Sequence, residues 1–133
     1  MQYVDSSALA KRYVREPETG LAVTLLDADP DWVTSAITEV EVRRVLAVRL
    51  PPDQVARGRT AFLRDWERIA VVAADATTMG LAASLAEATG ARSLDAVHLA
   101  SARRVSSRSL RVVTFDVRMA ATARTLGLNV VGA

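Results

Sequence analysis

Short apolar runs separated by stretches of helix length constrain this chain more than any other feature. Met1-Gln2-Tyr3-Val4, Trp32-Val33-Thr34, Ile69-Ala70-Val71-Val72, Leu110 to Phe115 and Leu128-Asn129-Val130-Val131 are too short for stable helices and carry the β-branched and aromatic residues that suit strands. Strands that recur with helices between them are joined in parallel, and a parallel sheet needs helices over both faces. The expected fold is therefore α/β and three-layered: a mostly parallel central sheet of four to five strands flanked by helices. At 133 residues, half of them hydrophobic, the chain fits one domain over 1–133, with no internal repeat, low-complexity tract or linker.

The intervening stretches carry helix signals. Asp5-Ser6-Ser7 is an N-cap cluster for a helix through about Val14, and Pro17 interrupts it. A helix is expected from Glu18 to about Asp27, ended by Asp29-Pro30-Asp31, and another from Ile37 to Arg49 after the loop at Thr34-Ser35. Pro52 or Asp53 opens a helix that reaches Arg68; Asp75 with Thr77 caps one that Gly90 closes. A helix led in by Arg92-Ser93 runs to about Ser106-Ser107, and Val117 to Leu126 is the last, stopped by Gly127.

In open sheets of this kind ligands bind at the carboxyl ends of the strands. Asp5 and Asp116 each follow a strand run, with hydroxyls at Ser6, Ser7 and Thr114 beside them. Taken alone, each reads as an N-cap worth about 1 kcal/mol sooner than as a ligand. Glu41 is harder to dismiss. It sits in an apolar helix stripe with Ile37, Val40, Val45 and Val48, and a buried ionised carboxylate needs a metal, a cation or a proton; an Arg from a neighbouring helix is the bland partner, and Glu39 is expected in solvent. Asp95 lies in a first helical turn with Ser93 as N-cap, and Leu99 and Ala102 carry its face inward, which puts it at the edge of a cleft. His98, nearly on the same face, is expected as a packed, hydrogen-bonded support and not as a base.

Cysteine is absent, which excludes disulfides and zinc–thiolate sites and suits a reducing cytoplasm. Four carboxylates, Asp5, Glu41, Asp95 and Asp116, with at most one His form a hard oxygen donor set that favours Mg²⁺ or Mn²⁺. The chemistry such a set suits is phosphodiester hydrolysis. Formal charge is +2, Lys11 is the only lysine, and arginines cluster at Arg43/Arg44, Arg103/Arg104 and Arg57, Arg59, Arg64 and Arg68, as a basic rim for nucleic acid or as a solvated helix face. Neither a basic leader with an apolar segment nor an apolar run of roughly 20 residues is seen, so no signal peptide, membrane span or membrane partner is expected.

Tyr3-Val4-Asp5-Ser6-Ser7-Ala8, Thr38 to Leu46, Leu94-Asp95-Ala96-Val97-His98-Leu99-Ala100 and Val113-Thr114-Phe115-Asp116 resemble, in order and spacing, the PIN domain, and within it the VapC-type toxins of toxin–antitoxin pairs. The resemblance implies a PIN fold, Mg²⁺- or Mn²⁺-dependent endoribonuclease activity on RNA such as tRNA or rRNA, and Asp5, Glu41, Asp95 and Asp116 as catalytic, metal-binding acids. Ser7, Thr114 and His98 would support them, with Lys11, Arg43, Arg44 and Arg118 as candidate RNA contacts. It further implies a homodimer, inhibited by a cognate antitoxin, in the cytoplasm. Where some relatives place a further acid shortly after the fourth, this chain has Val117-Arg118-Met119, so a second metal would be weakly held or arrive with substrate.

Other enzyme classes fit less well. Aspartate-phosphorylating hydrolases need a second acid two residues after the first, and Ser7 stands there; a phospho-acceptor domain would want a late lysine, and Lys11 is early. The remaining alternative is a PIN scaffold that binds RNA or a partner without cutting.

Overall fold

The computed structural model describes all residues, 1–133. Five strands form one sheet: β1 (Gln2–Val4), β2 (Trp32–Ser35), β3 (Ala70–Val72), β4 (Arg111–Thr114) and β5 (Asn129–Gly132). Their spatial order is β3-β2-β1-β4-β5, and every neighbouring pair is parallel. Seven α-helices connect them: α1 (Ser6–Ala10), α2 (Thr19–Asp27), α3 (Ile37–Arg49), α4 (Val55–Trp66), α5 (Ala76–Thr89), α6 (Ser93–Arg104) and α7 (Val117–Thr125).

The pleat of β1 and β4 divides the core in two. Tyr3 and Val112 face one side, where α5, α6 and α7 supply Ala82, Leu85, Leu99, Met119 and Ala123. Val4 and Val113 face the other, where Leu9, Leu26, Val42, Leu46 and Phe62 come from α1 to α4. Successive residues of a strand thus feed opposite layers, as period-two side chains must. The most enclosed helix is α6: all seven residues from Ala96 to Ala102 are buried. Alanines at 96, 100 and 102 let it sit close against α5 and β2.

β1 is the central strand. The chain adds β2 and β3 on one side of it and β4 and β5 on the other, so the order reverses at β1, and the crevice lies at the carboxyl ends of β1 and β4. Gly132, at φ 109°, ends β5 against the carbonyl of Thr114, where a Cβ would collide with backbone. No helix is long and apolar enough to cross a membrane.

Several boundaries differ from the sequence expectation for identifiable reasons. The first helix stops at Ala10, because the amides of Arg12 and Tyr13 tighten onto Leu9 and Ala10 in three-residue turns. The expected helix from Pro52 to Arg68 begins as a 3-10 turn, Pro52–Gln54, and becomes α-helical only from Val55 to Trp66. Ser93 is not the cap of α6; Arg92 holds that position in an extended conformation, with no side-chain cap bond. Asp75 caps α5 by accepting from Thr78 N–H, and Gly90, left-handed at φ 73°, closes it.

Candidate active site

Asp5 stands at the carboxyl end of β1, and its backbone amide still donates to the Val113 carbonyl of β4 at 3.1 Å. The residue is 3% exposed. Oδ1 accepts from Ala8 N–H at 3.0 Å and from Ser7 Oγ at 2.7 Å, and Oδ2 accepts from Thr114 Oγ1 at 2.7 Å. The Ala8 bond is the N-cap expected from sequence; the other two are extra. Each hydroxyl is itself held by the next turn: Phe115 N–H donates to Ser7 Oγ at 2.8 Å and Asp116 N–H to Thr114 Oγ1 at 3.1 Å. Two hydroxyls thus tie the β4–α7 turn, which carries Asp116, to Asp5. Burial pushes the Asp5 carboxyl above its usual range, and His98 with these donors offsets only part of the rise.

Glu41 lies on the flank of α3. The helix buries Thr38, Val42 and Leu46, whereas Val40 and Val48, placed in a buried stripe by the sequence reading, are 69% and 64% exposed. Position 40 is one residue from Glu41, about 100° around the helix, and does not share its face. The Glu41 side chain is 23% exposed. Its partner is neither the arginine considered from sequence nor bulk water: Oε1 lies 2.7 Å from His98 Nε2. His98 is 2% exposed, and its Nδ1 lies 2.8 Å from the hydroxyl of Tyr3, itself wholly buried. A neutral imidazole that donates from Nε2 to Glu41 accepts at Nδ1 from Tyr3. This chain of bonds links α3, whose apolar face is in one core layer, to α6 in the other.

Asp95, in the first turn of α6, and Asp116, N-cap of α7, are 16% and 33% exposed in their side chains. Asp116 Oδ1 accepts from Met119 N–H at 2.9 Å. Between the two acids lies Arg92: its Nη2 is 2.8 Å from Asp95 Oδ2 and 2.9 Å from Asp116 Oδ2, and its Nε is 2.9 Å from Asp95 Oδ2. Burial raises the Asp116 carboxyl, but the Met119 amide and the Arg92 guanidinium outweigh it and hold the group below its usual range.

Glu41, Asp95 and Asp116 line one open hollow of about 380 Å³, with Arg92, Ser93 and Leu94 as the other walls. Asp5 is absent from that lining and is joined to Asp116 through Thr114. The four acids are therefore neighbours but not a closed cage. No group of three or more acidic or His side chains is gathered tightly enough to hold one ion. The physical reason is visible: like charges repel, Asp5 spends both oxygens on hydroxyl and amide donors, and Arg92 already bridges the pair that a metal cation would bridge. In donor chemistry the set fits a hard divalent ion, being all oxygen; in spacing it would have to close, with Arg92 moving out.

The candidate RNA contacts fare unequally. Arg43, Arg44 and Arg118 are exposed. Lys11 is not a surface cation: it is 8% exposed, its ammonium lies 2.7 Å from Glu16 and 3.3 Å from Glu18, and it sits 5.3 Å from the centre of the Phe115 ring. Two nearby carboxylates neutralise it, which removes it from the rim. Arg57, Arg59, Arg64 and Arg68 are exposed on α4 and the turn after it, and Arg104 is tied to Asp75 at 3.0 Å. Arg92 escaped the sequence reading, although its place three residues before Asp95, at a helix start, is ion-pair spacing.

The PIN domain family matches residues 2–125. Over 131 residues, 96% of this chain and 93% of the relative, the sequence is 37% identical to ribonuclease VapC47 of Mycobacterium tuberculosis (strain CDC 1551 / Oshkosh). The fold superposes on VapC20 of Mycobacterium tuberculosis, a sarcin–ricin loop cleaving toxin, with a TM-score of 0.73 at 20% identity, covering 91% of this chain and 94% of that one. It also superposes on a toxin–antitoxin complex from Klebsiella pneumoniae with a TM-score of 0.72 at 20% identity, covering 99% and 97%.

Proposed function

The chain belongs to the PIN domain family and to its VapC group, and on that footing we propose that it is an endoribonuclease dependent on Mg²⁺ or Mn²⁺, the toxin of a toxin–antitoxin pair. The observation that carries the reading is that Glu41 of α3, Asp95 of α6 and Asp116, the N-cap of α7, line one hollow at the carboxyl end of a parallel sheet, with Asp5 joined to them through Thr114. The substrate is structured RNA, tRNA or rRNA; the partners are a cognate antitoxin and a second copy of the chain, in the cytoplasm. The name of the curated relative and the likeness to toxin and toxin–antitoxin structures support this reading.

Asp5, Asp95 and Asp116, with Glu41, would hold the ion. Such an ion supplies neutralisation of the charge that grows on the phosphate and a water of lowered pKa. The rest is done by the chain itself. Ser7 and Thr114 aim both oxygens of Asp5, and Thr114 fixes the turn that presents Asp116. His98, locked by Tyr3, orients Glu41 toward the hollow. Exposed Arg43, Arg44 and Arg118 offset the repulsion that four carboxylates exert on an anionic backbone.

A second reading has one observation in its favour. Arg92 bridges Asp95 and Asp116, and no three ligands converge, as expected of a PIN scaffold that binds RNA or a partner without cutting. Incubating the purified chain with total RNA, with and without Mg²⁺ or Mn²⁺, and mapping new 5′ ends separates the two. Metal-dependent ends that vanish with Asp95→Asn support the nuclease. Equal cleavage by that variant, or none by the wild type with either metal, overturns it.

A further inference from the structure

The Arg92 side chain is 52% exposed, makes no cap bond at the N-terminus of α6, and makes no hydrogen bond except to Asp95 and Asp116. One guanidinium gathers the Oδ2 atoms of two acids carried on different helices, at 2.8 and 2.9 Å. The other oxygen of Asp116 is already taken by the Met119 amide. Asp95 Oδ1 is left free, so an ion that draws on Asp95 and Asp116 together competes with Arg92 chiefly for Asp116 Oδ2. Mg²⁺ takes carboxylate oxygens at about 2.0–2.1 Å, and a guanidinium cannot keep its place on the same lone pairs against both contact and like charge.

What lies on the far side of Arg92 gives it somewhere to go. A second hollow, of about 340 Å³, is lined by Arg92, Asp95, Arg118 and the small residues Gly90, Ala91 and Ala121. Arg118 is exposed and has no salt-bridge partner. A guanidinium released from the two acids would share this hollow with Arg118, where Asp95, engaged by the ion, is the one carboxylate, and paired guanidiniums bind a phosphodiester well.

We infer that Arg92 is a built-in counter-cation: it occupies Asp95 and Asp116 until a divalent ion displaces it, and then binds an RNA phosphate with Arg118 in the adjoining hollow. The inference rests on the metal reading above. It makes metal binding and Arg92 pairing mutually exclusive, and makes the same residue oppose the ion and favour the substrate.

The test separates the two halves. Calorimetric titration of the full chain with MnCl2 should show Arg92→Gln binding the ion about 3- to 10-fold more tightly than wild type, with Arg92→Lys in between, because a lysine can hold one carboxylate but cannot fork. Anisotropy of a fluorescent RNA hairpin in Ca²⁺ should show Arg92→Gln binding RNA several-fold more weakly, with a salt slope lower by about one. Unchanged or weaker Mn²⁺ binding by folded Arg92→Gln overturns the counter-cation. Tighter Mn²⁺ binding with unchanged RNA affinity overturns the phosphate role. Wild-type protein that shows no Mn²⁺ binding sensitive to Asp95→Asn overturns the metal reading and this inference with it.

Discussion

Replacing Thr114 by Val should reveal whether Asp5 is only a helix cap or part of a wider centre. The substitution keeps the side chain's shape at a wholly buried position, so its cost lies in the lost hydroxyl. It removes the sole donor to Asp5 Oδ2, at 2.7 Å, and the acceptor of the Asp116 amide, at 3.1 Å. A buried carboxylate oxygen left without its donor costs about 1–3 kcal/mol and an orphaned amide about 1 more, so the variant should lose about 2–4 kcal/mol. With urea m-values of about 1–3 kcal/mol/M, the midpoint falls on the order of 1–2 M. The deficit should also grow with pH. Asp5 has a raised carboxyl, so the proton it binds contributes stability below the unfolded value, and that stability is lost as pH rises through the folded one; without Thr114 the folded value rises further. Equilibrium urea unfolding by circular dichroism at several pH values reads both effects. A loss below about 0.5 kcal/mol at neutral pH would mean that Asp5 is held locally, by the Ala8 amide as a cap and the Ser7 hydroxyl, and would refute the coupling to Asp116.

Glu41→Gln keeps an oxygen that can accept from His98, so it should lose less than about 1 kcal/mol while abolishing the Mn²⁺ titration; a large stability loss with unchanged titration would make Glu41–His98 a structural pair only. Tyr3→Phe leaves the buried Nδ1 of His98 without its partner and should cost about 1–3 kcal/mol, read as a lowered melting temperature; an unchanged melt would show that Tyr3 does not hold the imidazole. Asp75 is held below its usual range by the Thr78 amide and hydroxyl and by Arg104, so its contribution is present above the unfolded value and lost as pH falls through the lower folded one. The urea midpoint of wild type should fall more steeply below pH 4 than that of Asp75→Asn; parallel curves would contradict it.

The sheet was legible because its signals are local. Tyr3-Val4, Val33-Thr34 and Val112-Val113 read as strands from composition and run length, and each lies in a strand within a residue or two of the expected bounds. Strand order was not legible beyond "mostly parallel", since order depends on which helices pack on which face. Glu41 shows a different limit. Its neighbourhood contains Val40 and Val48, apolar residues that the fold leaves in solvent, and only the packing of Thr38, Val42 and Leu46 reveals which face turns inward. The helix bearing Asp95 was legible from Arg92-Ser93 to about Ser106-Ser107, and its inward face from Leu99 and Ala102; that His98 would hold Glu41 could not be read, because the two are 57 positions apart. The hydroxyls at Ser7 and Thr114 were noted as neighbours of the acids, whereas their relay from the backbone of Phe115 and Asp116 exists only once β1 and β4 lie side by side. Lys11 misled because charge near a site looks available until Glu16 and Glu18 fold onto it.

The central claim, that carboxylates from four separate segments assemble around one divalent ion, is tested most directly by anomalous diffraction from crystals of the chain grown with MnCl2. The account predicts a manganese peak in the crevice at the carboxyl ends of β1 and β4, ligated by carboxylate oxygens of Asp5, Asp95 and Asp116 or Glu41, with Arg92 turned away. A crevice without manganese at saturating ion, with Arg92 still bridging Asp95 and Asp116, would contradict it.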